Sequence, residues 1–324
     1  MTSYSEAGVD LDAADRHIDA IADSVIATWT DRVVGGFGGF AAGVRIPTGY
    51  EDPVLMMSTD GVGTKLEIAR RTGNWEGVGY DLVAMCVDDL AAAGANPIGF
   101  VDYLAVGSLQ PQRDQSIVAS VAAACSEAGC PLLGGETAEH PGVMERDAVD
   151  LAGAAVGVVE HGEELSADRV LDGDVVVGLM SPNLRSNGFT LVRAVLGDGI
   201  DDHAETLLEP SVIYAPAVMR ALWSGGVHAG AHVTGGGLAA NLARVIPDGL
   251  GVTLDMSSWD RPAVFDLIAD HGVEENDMRR TFNLGIGFCL VVSSSAVHPV
   301  MEAVAEHDPV VVGTVRSGNG IAFT

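Results

Sequence analysis

The chain has 324 residues, 48% of them hydrophobic, and carries 45 Asp and Glu against 17 Lys and Arg. Domains usually hold roughly 100–200 residues, so this length predicts two of them, and the apolar content excludes a disordered chain. The net charge of -28 disfavours nucleic-acid binding through phosphate neutralisation.

The first half is predicted to alternate strands with helices, which is typical of an α+β domain. Apolar runs predict the strands, while Asp81 as an N-cap and Pro111 at a helix start mark two helices. The predicted strands are 54–58, 98–104, 131–133 and 151–159, the helices are 81–93 and 111–128, and a loop covers 61–64.

A polar, acidic stretch at residues 161–174 separates this half from the next, which gives domains 1–165 and 166–324. The second half is predicted to be a compact α/β domain. Its predicted strands are 175–180, 251–255, 284–292 and 310–315, and its predicted helices are 188–196, 211–224, 238–245, 262–271 and 296–306.

The sequence predicts a cytoplasmic protein. No apolar run reaches the roughly 18 residues of a membrane span, and residues 1–20 carry carboxylates instead of a signal peptide's basic start. The cysteines show no metal-ligand or disulfide spacing, which fits a reducing compartment. They are Cys86, Cys125, Cys130 and Cys289.

Lysine is almost absent from the chain. Lys65 is the only one, and every other basic residue is arginine. An acidic protein with so little lysine fits a cytoplasm rich in salt, where screening weakens self-repulsion, so we expect a halophilic protein.

The segment 58–65 (STDGVGTK) has the composition of a phosphate-binding turn. Gly61 and Gly63 let the backbone approach a ligand, Asp60 could hold magnesium, and Thr64 and Lys65 could contact phosphates. The spacing is not that of a Walker A loop. The alternative is a plain strand-to-helix turn that carries a surface lysine.

Acidic side chains interrupt the apolar helix and strand that follow. Asp81, Asp88 and Asp89 share the predicted helix, and Asp102 lies inside the predicted strand 98–104. Like charges this close favour a magnesium or nucleotide site. The alternative is a solvated acidic face, which is common in so acidic a protein.

Three further turns carry features of ligand binding. Gly134, Gly135, Glu136 and Thr137 follow a predicted strand, where backbone amides and one carboxylate would face a cleft. The segments 185–188 (RSNG) and 232–237 (HVTGGG) precede predicted helices, whose N-terminal amides bind anions, so together they suggest a phosphorylated substrate. Each could instead be an ordinary glycine turn or capped helix start.

In order along the chain, these segments resemble the aminoimidazole ribonucleotide (AIR) synthetase family, the phosphoribosylformylglycinamidine cyclo-ligases. The resemblance extends from Gly35 to Gly287. The stretches that carry it are GGFGGF, STDGVGTK, DLVAMCVDDLAAAGANP, GCPLLGGETAEHPG, RSNGFTLVR, HVTGGG and RTFNLGIG.

The resemblance implies an ATP-dependent ring closure that converts formylglycinamidine ribonucleotide (FGAM) to AIR in purine biosynthesis. It also implies a homodimer in which the N-terminal domains share a barrel. Asp60, Asp89 and Glu136 would hold Mg²⁺, and the catalytic residues would be Lys65, Asn187, His232 and Asp102. The residues that would bind ATP or the ribonucleotide are Gly35, Gly36, Gly38, Gly39, Gly61, Gly63, Thr64, Lys65, Asp88, Gly134, Gly135, Thr137, Ser186, Thr234, Gly235, Gly236 and Gly237.

Two positions depart from the pattern that the family commonly shows. Arg185 stands where the family has histidine, and Asp88 stands where it has asparagine. Two other functions remain open on the residues alone. One is a small-molecule kinase of the same superfamily, which would leave a phosphorylated product, and the other is a non-catalytic nucleotide sensor.

Overall fold

Two large β-sheets divide the chain, a small two-stranded sheet precedes them, and no strand is common to any two sheets. The computed structural model describes residues 10–324. A four-stranded sheet occupies the first half and a six-stranded sheet the second. The domain boundary expected at residues 165/166 falls in the segment between them.

The bounds of the elements are as follows. The strands are β1 (Val33–Val34), β2 (Gly43–Val44), β3 (Pro53–Gly61), β4 (Asn96–Val106), β5 (Leu132–Glu139), β6 (Val149–Glu160), β7 (Val175–Met180), β8 (Val227–His232), β9 (Leu250–Leu254), β10 (Ile286–Val292), β11 (Val310–Ser317) and β12 (Gly320–Phe323). The α-helices are α1 (Leu11–Ile26), α2 (Leu66–Thr72), α3 (Val78–Ala92), α4 (Pro111–Glu127), α5 (Phe189–Leu196), α6 (Ala204–Leu207), α7 (Ala215–Ser224), α8 (Gly237–Ala243), α9 (Ala263–Asp270), α10 (Glu275–Thr281) and α11 (Val297–Ala303).

The N-terminal sheet has the order β3-β6-β4-β5, and only β4 and β5 run parallel. Its register places Asp60, Gly153, Asp102 and Gly135 in one row across the strands. Directly paired residues point to the same face of a sheet, so Asp60 and Asp102 share the face covered by α3 and α4. Glu136, the next residue after Gly135, points to the opposite face.

That opposite face of the N-terminal sheet is apolar and open. Leu55 and Met57 on β3 and Val101 and Tyr103 on β4 are all exposed, and Met57 retains 79% of its accessible surface. Contiguous exposed apolar surface of this kind marks an interaction site in a soluble protein.

The C-terminal sheet has the order β12-β9-β11-β7-β10-β8, and all its pairs are antiparallel except β12 with β9. The helices and strands alternate as the sequence predicts. The pairing differs from the parallel sheet of a typical α/β domain, because most neighbours in this sheet are not consecutive strands of one βαβ unit.

Several predicted boundaries are confirmed, and others are wrong for identifiable reasons. The strand 175–180 is confirmed, and α4 begins at Pro111. The helix α3 begins at Val78, so Asp81 is not its N-cap but a buried residue of its first turn. The strand β5 extends to Glu139, so residues 134–137 lie within a strand and not in a turn after it.

The prediction did not include the helices α1, α2, α6 and α10 or the strands β1, β2, β8 and β12. The polar arm expected at residues 3–12 lies largely outside the described residues, and Leu11 and Asp12 belong to α1. No helix of residues 10–324 is long and apolar enough to span a membrane. All four cysteines are buried and none forms a disulfide.

We expect Gly79→Ala to destabilise the protein by about 1–3 kcal/mol, the usual cost of overpacking a core. A Cβ at Gly79 would lie 2.1 Å from the backbone nitrogen of Val121 on α4, so the two helices would have to separate. Chemical denaturation measures the change. Gly199→Ala is the control, because a Cβ there meets nothing within 4 Å, and equal stability losses would contradict this account of the α3–α4 contact.

Candidate active site

Two glycine-rich motifs of the first domain, at residues 36–39 and 134–137, gather around a cavity of about 540 Å³ at the β5 edge of the sheet. Helix α1 forms one wall, the loop between β1 and β2 covers it, and β5 forms its floor. The candidate residues that line it are Gly36, Gly38, Gly39, Asp102, Gly134, Gly135, Glu136 and Thr137. Gly35 precedes this loop with a positive φ of 107°. The two glycine-rich motifs, about a hundred residues apart, therefore belong to one site.

Asp102 is the most perturbed acid of this cavity. Gly135 lies against it so closely that a Cβ at Gly135 would be 1.7 Å from its Oδ1, which explains the need for glycine. Burial raises the pKa of Asp102 to about 7. A carboxyl group with such a pKa can gain or lose a proton near neutrality.

His17 on α1 faces Thr137 across the same cavity. Its Nε2 lies 3.2 Å from the Thr137 hydroxyl, and its Nδ1 has no hydrogen-bond partner among the described residues. Burial lowers the pKa of His17, with Asp114 opposing the shift. The sequence pattern predicts no helix there, so His17 is not among the predicted site residues.

Three other candidate turns meet in a cleft between the domains. Ser186 donates a hydrogen bond of 2.8 Å to the carbonyl of Val62, and the hydroxyls of Thr64 and Thr190 are 3.0 Å apart. The Asn187 side-chain oxygen lies 3.5 Å from where a Cβ on Gly235 would be. The segments 61–64, 185–188 and 234–237 therefore line one cleft. Thr190 was missed, although its position in the first turn after RSNG was a usable signal.

The turns at residues 185–188 and 234–237 lead into helices as expected. Gly188 precedes α5 with φ 83°, and Gly236 precedes α8 with φ 98°. A Cβ at Gly237 would lie 2.2 Å from the carbonyl oxygen of Arg279, so glycine is required there. Thr234 accepts a hydrogen bond of 3.2 Å from Asn241 at its carbonyl, which holds the turn in place.

A second cavity, of about 370 Å³, opens beside this cleft at the other edge of the first sheet. Asp89 lines it together with Ser58, His232, Asn241 and Arg244. Asp89 accepts hydrogen bonds from His232 at 2.9 Å and from Ser58 at 3.3 Å. Burial would raise the pKa of Asp89, but these hydrogen bonds outweigh it and hold that pKa below its usual value.

Lys65 does not face a phosphate site in this structure. Its side chain is buried, and its ammonium group donates to Asp81 at 2.8 Å, to the Arg185 carbonyl at 3.1 Å and to the Glu209 carbonyl at 2.9 Å. These partners use all three of its N–H groups. Burial lowers the pKa of Lys65 and raises that of Asp81, and their ion pair opposes both shifts. The expected phosphate contact is therefore corrected to a structural ion pair.

Asp88 also takes a different place from the expected nucleotide contact. It is completely buried, and its Oδ2 accepts a hydrogen bond of 2.5 Å from Arg185. Its Oδ1 accepts from the backbone amides of Tyr214 and Ala215 at the start of α7. The two positions at which the chain departs from the family's common pattern therefore form one buried ion pair. Neither Asp81 nor Asp88 belongs to a solvated acidic face.

The three expected magnesium ligands do not form one site in this chain. Across residues 10–324, no three His, Cys, Asp or Glu side chains lie close enough together to hold a metal ion. Asp60 and Asp89 both lie near Cys86, whose pKa burial and the charge of Asp60 raise to about 12. Glu136 is on the opposite face and at the other edge of the sheet, which separates it from them.

Comparison with known proteins identifies the family. Residues 38–159 match the family described as AIR synthase related protein, N-terminal domain, and residues 172–324 match its C-terminal domain. Phosphoribosylformylglycinamidine cyclo-ligase from Sorangium cellulosum (strain So ce56) is 45% identical over 99% of this chain and 97% of its own. The chain belongs to the phosphoribosylformylglycinamidine cyclo-ligase family. The cyclo-ligase of Synechococcus sp. (strain CC9605) is 43% identical over 97% of this chain and 95% of its own.

Solved structures confirm the fold of this cyclo-ligase family member. Thiamine-monophosphate kinase from Stenotrophomonas maltophilia K279a superposes with a TM-score of 0.66 at 20% identity, covering 94% of this chain and 95% of its own. Hydrogenase maturation protein HypE in complex with ATP gives a TM-score of 0.64 at 19% identity, with coverage of 93% and 83%. At these identities the likeness concerns the fold alone.

We expect Asp102→Asn to stabilise this cyclo-ligase family member above neutral pH. The folded state retains the Asp102 proton up to about pH 7, whereas an unfolded chain releases it near pH 4, so its contribution to stability is lost as pH rises between these values. The variant should gain on the order of 4 kcal/mol at pH 8 and little at pH 4. Denaturation midpoints across this range measure it, with the exposed Asp52→Asn as control; a pH-independent difference would contradict the shifted pKa.

Proposed function

We propose that this protein catalyses the ATP-dependent closure of FGAM to AIR, with release of ADP and phosphate. The observation that supports this most directly is the grouping of the glycine-rich motifs into a cavity in the first domain and a cleft between the domains. Such a reaction needs sites for a nucleotide and for a phosphorylated substrate. The cyclo-ligase relatives cover nearly the whole chain, so the proposal concerns a protein of the same length and organisation.

The chemistry requires activation of an amide oxygen, which is a poor leaving group. The γ-phosphoryl group of ATP passes to the formyl oxygen, giving an iminophosphate and ADP. The amidine nitrogen then attacks the same carbon, and the C–O bond breaks to release phosphate as the imidazole forms. The protein's part is to hold the reacting nitrogen and carbon together and to place N–H donors where negative charge develops.

We assign ATP to the 540 Å³ cavity of the first domain. The loop 36–42 and the β5 glycines bring backbone close to a ligand, and Ile18, Ile21 and Leu133 supply an apolar wall suited to a base. The HypE structure of the same fold is described as a complex with ATP. Because Asp60, Asp89 and Glu136 do not converge in this chain, we derive no step through Mg²⁺.

We assign the ribonucleotide to the interdomain cleft. The turns before α5 and α8 carry free backbone amides next to Ser186, Asn187 and Thr234, a combination suited to a phosphate or an amide oxygen. In this proposal Asn187 acts in the cleft, and His232 acts beside it in the wall of the second cavity. Asp102, whose pKa is about 7, is available for proton transfer in the nucleotide cavity. In this proposal Lys65 stabilises the residues that form the cleft through its ion pair with Asp81, and it does not contact ligands.

The test is to incubate the purified protein with FGAM and ATP and to follow ADP, phosphate and AIR by mass spectrometry. We expect one AIR per ADP, and no ADP without FGAM. ADP with a phosphorylated FGAM product and no AIR would indicate a kinase. Nucleotide binding without turnover would indicate a sensor and would contradict the proposal.

We expect Asn187→Ala to raise the KM for FGAM about tenfold with little change for ATP, since a hydrogen bond to a charged group contributes about 1.5 kcal/mol. Among residues 10–324, the Asn187 side-chain amide makes a single weak hydrogen bond, to the Met85 sulfur, so the fold should tolerate the change. Initial-rate kinetics measure both constants. The exposed Asn319→Ala serves as control, and an unchanged KM for FGAM would remove Asn187 from the site.

We also propose that the protein forms a homodimer through the open face of the N-terminal sheet. Leu55→Glu should convert the dimer to a monomer by placing a charge on this apolar face, as measured by light scattering after gel filtration. Trp223→Glu is the matched control, because Trp223 is an apolar side chain on α7 of the other domain that is even more exposed than Leu55. A monomer in the unaltered protein, or a dimer in both variants, would contradict this surface.

A cytoplasm rich in salt remains our proposal for the protein's setting, supported by the charge of -28 and by the single lysine. Screening of like charges should raise the melting temperature as KCl increases from about 0.1 M to about 3 M. Differential scanning fluorimetry measures this. A melting temperature that falls with KCl would count against a halophilic protein.

A further inference from the structure

A line of four charged or polar side chains crosses the seam between the domains. It begins at Asp88 on α3, continues through Arg185 and His232 of the second domain, and returns to Asp89 on α3. The first three side chains are buried, and only Asp89 is exposed, with 44% of its side-chain surface accessible. The line therefore connects the interior of the seam with the wall of a cavity.

Hydrogen-bond direction along this line is fixed by chemistry. An Arg185 guanidinium nitrogen lies 2.6 Å from Nε2 of His232, and a guanidinium can only donate. Nε2 must therefore accept, which places the ring proton of neutral His232 on Nδ1. That nitrogen lies 2.9 Å from Oδ1 of Asp89 and so donates to it.

The surroundings of Arg185 hold its guanidinium in a single position. One nitrogen donates to Asp88 and to the Val212 carbonyl at 2.9 Å, and the guanidinium carbon lies 4.8 Å from the centre of the Tyr214 ring. The backbone of Arg185 has φ 59°, and its amide donates to the Asn183 side chain. A residue with this left-handed backbone and these contacts is built into the site and cannot turn toward solvent.

The His232 ring is similarly constrained. It stacks on Phe288, with 6.2 Å between ring centres and 20° between planes, and its side chain is 2% exposed. Phe288 and His232 are paired across β10 and β8, so the sheet itself sets the ring plane. The remaining freedom of the ring is the choice of tautomer.

We propose that Arg185 is a positioning residue: it selects the Nδ1–H tautomer of His232 and thereby fixes the direction of the Asp89 carboxylate in the interdomain cavity. Asp88 is the counter-ion that makes the burial of Arg185 possible. A lone buried guanidinium would be strongly unfavourable, whereas this one meets a carboxylate that itself accepts from the start of α7. The proposed tautomer of His232 does not depend on the proposed function, and only its effect on turnover rests on that function.

The first experiment observes the tautomer directly. Protein with ¹⁵N-labelled histidine gives long-range proton–nitrogen correlations for its nine rings, and His232→Gln assigns the signal of interest. We expect a protonated Nδ1 and an unprotonated Nε2 in the unaltered protein and in Asp89→Asn, where Arg185 alone still sets the tautomer. We expect a mixture of tautomers in the Arg185→Gln/Asp89→Asn double variant, whose two amides can each present either an oxygen or an N–H. A protonated Nε2 in the unaltered protein or in Asp89→Asn, or an unchanged tautomer in the double variant, would overturn the proposal.

The second experiment separates positioning from charge balance. Asp88→Asn and Arg185→Gln each leave one buried charge unpaired, so both should unfold at lower temperature, and the double variant should recover much of that loss. We expect kcat to stay about 10- to 100-fold low in the double variant, because a misplaced catalytic group is not restored by charge balance. If the double variant recovers kcat fully together with its stability, Arg185 is only a structural counter-ion and the proposal is wrong. Arg220→Gln, which removes an exposed ion pair with Glu306, is the control.

The two failures can be told apart. If the unaltered protein converts no FGAM, the proposed function fails while the tautomer measurement still decides this inference. If turnover is normal and the tautomer does not respond to Arg185, the inference fails alone.

Discussion

The arrangement of the two domains depends on carboxylates that α3 buries against the second domain. Asp81 binds Lys65 and the Ser211 hydroxyl and amide, and Asp88 binds Arg185 and the start of α7. Burying charge is unfavourable unless its partners are well placed, and losing one partner of such a pair usually costs about 3–5 kcal/mol. The Asp88–Arg185 pair joins the domains directly, whereas the Asp81–Lys65 pair lies in the first domain and reaches the second through Ser211 and the carbonyls of Arg185 and Glu209. These contacts therefore act less as added stability than as a requirement for one relative position of the domains, and the shape of the cleft between them depends on that position.

The sites follow from where the first sheet ends. Asp60 and Asp102 share one row and one face of this sheet, but Asp60 lies on the edge strand β3, whereas Asp102 lies on β4, beside the opposite edge strand β5. One edge meets the second domain and contributes to the interdomain cleft, and the other meets α1 and the loop after β1 and contributes to the cavity. A single sheet thus presents acidic residues at two places, which explains why motifs that look equivalent in the sequence separate in space.

Much of the fold could be predicted because it follows from local patterns of apolar residues, proline and glycine in the sequence. The strand 175–180 is a continuous apolar run, and Pro111 marks a helix start without help from the rest of the chain. The positions of the turns at 185–188 and 234–237 were predicted for the same reason. Asp81 and Lys65 were misassigned because their partners, Glu209 and Ser211, are more than a hundred residues away, and an acid in an apolar helix is compatible with a cap, a metal ligand or a buried pair. The ion pair between Asp88 and Arg185 could not be predicted either. The two departures from the family pattern look unrelated in the sequence, and only the packing of the domains shows that they are partners.

The burial of Lys65 has a practical consequence for work on this molecule. It is the only lysine of the chain, and it is fully enclosed at the domain seam. Amine-directed reagents, including common crosslinkers and fluorescent esters, have no lysine side chain to modify while the seam is closed. The rate at which this side chain is acylated would therefore report how often the two domains separate. Enzymes that acetylate or ubiquitinate lysine would reach it only after that separation.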